Sequence, residues 1–178
     1  ENDQVARIVG TDLAFLAGHG LEDVDHFTRG NVLERHHAVA ETELYLGGLG
    51  TSAKILWDRV SPEVDAFSPD NLLIFGAGLL CGTPATGCNR TIVSTISPQT
   101  KLMAFSMMGG FWAPELKYAG YDKVILRGKS PDLIYLWINN DKVEIRDATH
   151  LQGKGALETG ECIKEEVKES EAQVAAIG

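Results

Sequence analysis

Glycine sets the first constraint on this chain. Nineteen of its 178 residues are glycine, and most of those fall between Gly47 and Gly128, at the boundaries of apolar segments. A residue without a Cβ reaches positive φ and lets backbone approach backbone or a ligand closely. The spacing therefore predicts short elements joined by tight turns, some of them facing something other than solvent. With 44% hydrophobic residues, the chain has enough material for one ordinary domain, burying about two-thirds of its unfolded surface.

The charge balance removes one class of partner. Twenty-five acidic against 16 basic side chains give a formal net charge of -9, and no Lys/Arg cluster interrupts it, so there is no phosphate-tracking stripe for nucleic acid. No apolar run reaches the roughly 18 to 20 residues of a membrane helix, and Glu1 to Gly10 lacks the basic-then-apolar order of a signal peptide. The expectation is a cytoplasmic protein with no membrane span. Cys81, Cys88 and Cys162 are odd in number and form no C-x-x-C pair, which predicts neither a disulfide framework nor a self-contained zinc or iron-sulfur site.

Two segments differ in texture. Residues 1–42 follow neither the helical nor the strand period, and Gly10, Gly18, Gly20 and Gly30 punctuate them; their structure is undetermined from sequence. Residues 43–178 are patterned. A glycine turn at Gly47, Gly48 and Gly50 leads to a short helix carrying Ala53, Ile55, Leu56 and Val60, with Thr51 or Ser52 as the expected N-cap and Pro62 as the stop. Strands are expected at Leu72 to Phe75, Ile92 to Ile96, Lys123 to Arg127, Ile134 to Ile138 and Val143 to Arg146, the last two joined by a turn at Asn139, Asn140 and Asp141. A helix from Ala156 to Lys168 and a strand opening at Gln173 complete the reading. The class is α+β: two largely antiparallel or mixed β-sheets with a few short helices.

Three constellations carry possible chemistry. The loop Gly82-Thr83-Pro84-Ala85-Thr86-Gly87-Cys88-Asn89-Arg90 has the composition of an anion cradle: small residues expose N–H groups, and Arg90 can grip a phosphate through two parallel hydrogen bonds. It lacks the Lys-Ser/Thr ending of a P-loop and the G-x-G-x-x-G spacing of a dinucleotide fold, so a plain strand connection stays open. The second is Met107-Met108-Gly109-Gly110-Phe111-Trp112, where a glycine pair precedes a helix begun by Pro114; an anion suits that end, and core filling suits the methionines and aromatics. The third is Gly47-Gly48-Leu49-Gly50, a cofactor approach or a simple turn. His36 and His37 beside Glu34 lack helical spacing and read as solvated surface, while Cys81 and Cys88 read as buried and inert and Cys162 as helix packing.

These segments, taken in order, resemble the amino-terminal domain of the aldehyde ferredoxin oxidoreductase family. The resemblance runs from about Glu43 to Gly178. It comprises LGGLG at Leu46 to Gly50, SPDNLLIFGAGLLCGTPATGCNR at Ser68 to Arg90, SPQTK at Ser97 to Lys101, MGGFWAPELKYAGYD at Met108 to Asp122, and VEIRDATH at Val143 to His150. Within the family, TPATGCNRTIVST and SMMGGFWAPELK are most similar to the tungsten subunit of the ATP-independent benzoyl-coenzyme A reductases. The chain departs from the family in having Leu49 in place of an arginine and Met107 in place of an asparagine near a magnesium ion. The family's opening pair of strands also has no recognisable counterpart in Glu1 to Ala40.

The resemblance implies an incomplete domain that forms the base for a tungsten (or molybdenum) bis-pyranopterin, with cofactor contacts at Arg90, Met107, Gly109, Gly110 and Gly48. It implies a parent oxidoreductase working on an aldehyde or an aromatic acyl-coenzyme A, with a four-iron four-sulfur cluster ligated in later domains. The implied partners are those remaining domains, an electron carrier such as ferredoxin, and further copies in an oligomer; the piece alone is expected to be inactive. A different class of reading is a non-catalytic nucleotide-binding or scaffold module on the same fold.

Overall fold

A computed structural model of the chain describes residues 5–9, 33–34, 44–128, 130 and 132–177. The nine strands among them are β1 (Val5–Val9), β2 (Leu33–Glu34), β3 (Leu72–Ala77), β4 (Thr91–Ile96), β5 (Met103–Met108), β6 (Lys123–Arg127), β7 (Ile134–Asn139), β8 (Lys142–Asp147) and β9 (Gln173–Ala175). The α-helices are α1 (Gly48–Arg59), α2 (Trp112–Tyr118) and α3 (Ala156–Val167). Five strands form one sheet in the order β2-β6-β3-β4-β5, every neighbouring pair antiparallel. Four form the second, β8-β7-β1-β9, antiparallel except for the parallel pair β1 and β9. This is the expected α+β arrangement.

The period of two along each strand explains the layering. Leu72, Ile74 and Ile125 point to one side of the five-stranded sheet and pack with Ile55 and Leu56 of α1. Their neighbours Phe75, Val124 and Leu126 point to the other side, into a core shared with Leu136, Ile138 and Ala175 of the second sheet and Trp112 and Leu116 of α2. The far face of the second sheet carries Tyr135 and Trp137, covered by Ile163 of α3 and by Leu151. Strands buried on both faces read as continuous apolar runs, which is why LLIFGA, KVILR and IYLWIN stand out in the sequence. Each large side chain so buried contributes about 1.5–3 kcal/mol, so the two central faces dominate the fold's stability.

Three expectations change. The first helix starts earlier, at Gly48, because Gly47 takes φ 74 and serves as N-cap; Thr51 and Ser52 lie inside the helix, where their hydroxyls donate back to Gly48 O at 3.3 and 2.8 Å. β5 was absent from the pattern reading: MAFSMM has no alternation, since it is the edge strand and Phe105 and Met107 are exposed. Finally, Val5–Val9, within the segment without a clear period, is an interior strand of the second sheet, flanked by β7 and β9. His19, His26, His36 and His37 lie outside the described residues.

Candidate functional site

The antiparallel register gathers the three glycine-bearing segments at one end of the five-stranded sheet. Ala77, at the end of β3, pairs with Thr91, at the start of β4, and Thr91 in turn pairs with Met108, at the end of β5. Arg90 directly precedes Thr91 and Gly109 directly follows Met108, so the two are brought level across the β4–β5 pair. The two lie close together: a Cβ built on Gly109 would be 3.9 Å from Arg90 Nη1. Both residues are exposed, so the guanidinium lies beside the glycine turn where its N–H groups can meet a ligand.

The third turn arrives from α1. Gly47 forms an isolated antiparallel bridge with Gly78, just beyond β3. Gly48 is buried, and a Cβ on it would lie in ordinary contact with Gly78 Cα at 3.7 Å and Ile92 Cγ1 at 3.8 Å, so it is the left-handed φ of 49 that disfavours a side chain here. Ile92 is the register partner of Met107, and opposed residues in an antiparallel pair share a face. Gly48 and Met107 thus flank Ile92 from two directions. Met107 is 58% exposed and Phe111 64%, whereas Trp112 is buried against Phe75 with ring centroids 5.7 Å apart. Of the four residues read as core filling or ligand contacts, Trp112 and the partly buried Met108 are core, and Met107 and Phe111 face outward.

The loop Gly82 to Arg90 is held from within. Cys81 Sγ donates to Cys88 O at 2.9 Å, and Cys88 Sγ lies 3.0 Å from both Leu80 O and Ala85 O. The Asn89 side-chain oxygen accepts from Gly82 N at 3.4 Å, and Thr83 Oγ1 donates to Leu80 O at 2.8 Å. Both thiols are therefore engaged with main-chain carbonyls, while Arg90 reaches toward Gly109. Cys162 packs beside the Tyr135 and Trp137 cluster on the far side of the molecule.

Sequence reasoning passed over two features of this sheet end. Tyr118, on α2, donates from Oη to Gly82 O at 2.9 Å. Glu115, on the same helix, has its carboxyl pushed above the ordinary carboxylate value by burial. The i, i+3 spacing of these two residues was the available signal, since it puts them on one helix face. Among the described residues, no three His, Cys, Asp or Glu side chains are grouped to hold a metal ion, and no helix is long and apolar enough to cross a membrane.

Comparison with known proteins gives one consistent family. The model of the aldehyde ferredoxin oxidoreductase N-terminal domain matches residues 26–178, reaching back beyond Glu43. A tungsten-containing aldehyde ferredoxin oxidoreductase of Pyrococcus abyssi is 40% identical over 153 residues, covering 86% of this chain and 25% of the relative. The WOR-like subunit of an aliphatic sulfonate oxidoreductase of Pyrococcus furiosus is 38% identical over 152 residues, covering 84% of this chain and 24% of the relative. Among solved structures, the active site complex BamBC of benzoyl coenzyme A reductase with 1,5-dienoyl-CoA contains a chain 67% identical, with a TM-score of 0.76 over 94% of this chain and 23% of that one. The chain thus spans about a quarter of the length of the relatives it matches.

Proposed function

The chain belongs to the aldehyde ferredoxin oxidoreductase family, whose N-terminal domain it carries, and on that premise we propose that the glycine-lined end of its five-stranded sheet seats the phosphates of a tungsten (or molybdenum) bis-pyranopterin. The observation that carries this reading is the Arg90–Gly109 juxtaposition, with Arg90 Nη1 3.9 Å from the Cβ position of a glycine that has none. A guanidinium pre-set over an open backbone turn matches a phosphate in charge and in geometry. The planar fork offers two parallel N–H···O bonds, and exposed main-chain amides supply neutral donors that need no reorganisation.

The residues present fit such a group in shape as well. Gly109 and Gly110 are exposed, Gly110 at φ 92, while Gly48 is buried at φ 49 and lets the start of α1 pack closely on Gly78 and Ile92 behind them. Met107 offers a soft thioether, a poor ligand for a hard cation such as magnesium, so main-chain oxygen rather than this side chain would hold such an ion here. When bound, the metal centre supplies the two-electron redox chemistry of the parent enzyme. This chain's share is placement: Arg90 neutralises phosphate charge, the exposed Gly109–Gly110 turn fixes the ligand's position, and the buried Gly48 supports the sheet end behind them.

In this reading the parent chain is an oxidoreductase whose substrate is an aldehyde or, in line with the 67% identity to the benzoyl coenzyme A reductase chain, an aromatic acyl-coenzyme A. Later domains ligate a four-iron four-sulfur cluster that passes electrons to or from a carrier such as ferredoxin. The test is to express the full-length parent anaerobically with tungstate and to measure tungsten and pterin per chain. Arg90→Ala is expected to lower both, and full occupancy in that variant would overturn the proposal.

A further inference from the structure

We infer that Tyr118 is a positioning residue that locks the Gly82–Arg90 loop to the helix behind the Gly109–Gly110 turn, so that the two halves of the proposed seat are held as one unit. This rests on the reading of that sheet end as a phosphate seat. The seat is built from two separate stretches of chain, the loop between β3 and β4 and the turn between β5 and α2. A phosphate held by Arg90 on one side and by the main-chain amides of the Gly109–Gly110 turn on the other needs the two at fixed separation, because a displacement comparable to a hydrogen-bond length breaks one set of contacts. The two stretches lie side by side where Arg90 comes near Gly109. At the other end of the loop they are joined by Tyr118, whose Oη donates to Gly82 O at 2.9 Å.

The ring matters as much as the hydroxyl. A Cβ on Gly82 would sit 3.0 Å from Tyr118 Cε1 and 3.4 Å from Cζ, so the absent side chain is what allows the ring to lie over the backbone. Gly82 itself adopts φ 80, a conformation open to glycine. Tyr118 is 50% exposed, so it adds little to the core. Its neighbours on α2, Trp112 and Leu116, are the residues that anchor the helix in the apolar interior. Trp112 and Leu116 fix α2 to the protein, and Tyr118 fixes the loop to α2. Residues 83–87 are all exposed, and the thiol and Asn89 bonds bind that loop to itself and to the strand end that leads into it. Cys81, at the base of the loop, packs with Ala113 of α2, and Tyr118 adds a hydrogen bond from the far end of the helix to Gly82 itself.

The experiment uses the full-length parent, expressed anaerobically with tungstate, in wild-type, Tyr118→Phe and Arg90→Ala forms. Two quantities are read: the tungsten and pterin retained during prolonged anaerobic dialysis, and the melting temperature of protein expressed without tungstate. Tyr118→Phe keeps the ring and removes one exposed hydrogen bond, so the metal-free melting temperature is expected to stay at the wild-type value. Loss of cofactor is expected to quicken by about two- to tenfold, the ratio corresponding to one net hydrogen bond. Wild-type retention in Tyr118→Phe alongside loss in Arg90→Ala would overturn the role of Tyr118 and leave the seat standing. Retention in both variants would overturn the seat itself. A metal-free Tyr118→Phe protein that melts lower in step with its loss of cofactor would assign the tyrosine to general stability and also overturn the inference.

Discussion

Lys123 and Thr51, 72 residues apart in sequence, meet in the buried layer between α1 and the five-stranded sheet, where the lysine ammonium donates to Thr51 Oγ1. Both side chains are nearly inaccessible to water, Lys123 at 0% and Thr51 at 1% exposure. A buried charge is tolerated only while acceptors surround it. Thr51→Val keeps shape and β-branching but removes one acceptor, leaving the ammonium partly unsatisfied. The expected loss is about 1–3 kcal/mol of stability, read as a lower midpoint in denaturant unfolding. An unchanged midpoint would mean that other acceptors suffice for the ammonium.

That pairing also marks where sequence reading stops. Lys123 opens the run KVILR, which is legible as a strand because Val124, Ile125 and Leu126 are apolar on both faces, but nothing in the order of residues says that the lysine turns inward toward a helix. The same holds for β5, whose exposed edge position removes the alternation that a half-buried strand would show. At the site the reverse is true. The glycines at 48, 109 and 110 were legible because a missing Cβ is written in the sequence itself, and so was the cationic Arg90 at the end of its loop. What sequence could not supply was distance: that Arg90 stands by Gly109 follows from the Thr91–Met108 register, a long-range property. The N-cap of α1 was misplaced because Thr51 and Ser52 are good caps by type, while Gly47 and Gly48 could adopt the turn one helical turn earlier.

Glycines that a close main-chain approach requires and glycines that nothing requires should respond oppositely to alanine. A Cβ on Gly50 would come 2.2 Å from Tyr45 O, a main-chain atom that cannot swing aside, whereas a Cβ on Gly160, inside α3, would meet nothing within 4 Å. Gly160→Ala is expected to raise stability by about 0.5–1 kcal/mol, because the alanine chain loses less backbone freedom on folding into a helix. Gly50→Ala is expected to lower it by about 1–3 kcal/mol through overpacking. Thermal melting of the two variants side by side checks the contrast; two shifts of the same sign would contradict this local geometry.

Glu115 supplies a pH dependence whose sign can be worked out. Its carboxyl is raised from the ordinary value of 4.5 by burial, and among the described residues it makes no ion pair. Its place in the first turn of α2 gives a small opposing benefit from the helix dipole, but the net direction is upward, so desolvation wins. A folded-state pKa above the unfolded one means that the native protein binds this proton more tightly. The carboxyl then costs no stability below about pH 4.5, and a penalty develops as pH rises through that value and levels off above the raised folded pKa. Glu115→Gln removes the titration without changing size. The variant is therefore expected to match wild type in melting temperature near pH 4 and to exceed it at pH 7, by a modest margin because the side chain is partly open to screening water. A Gln variant less stable than wild type at pH 7 would show that the charge is stabilised in place, by the helix end or by a cation, and would reverse the sign assigned to its burial.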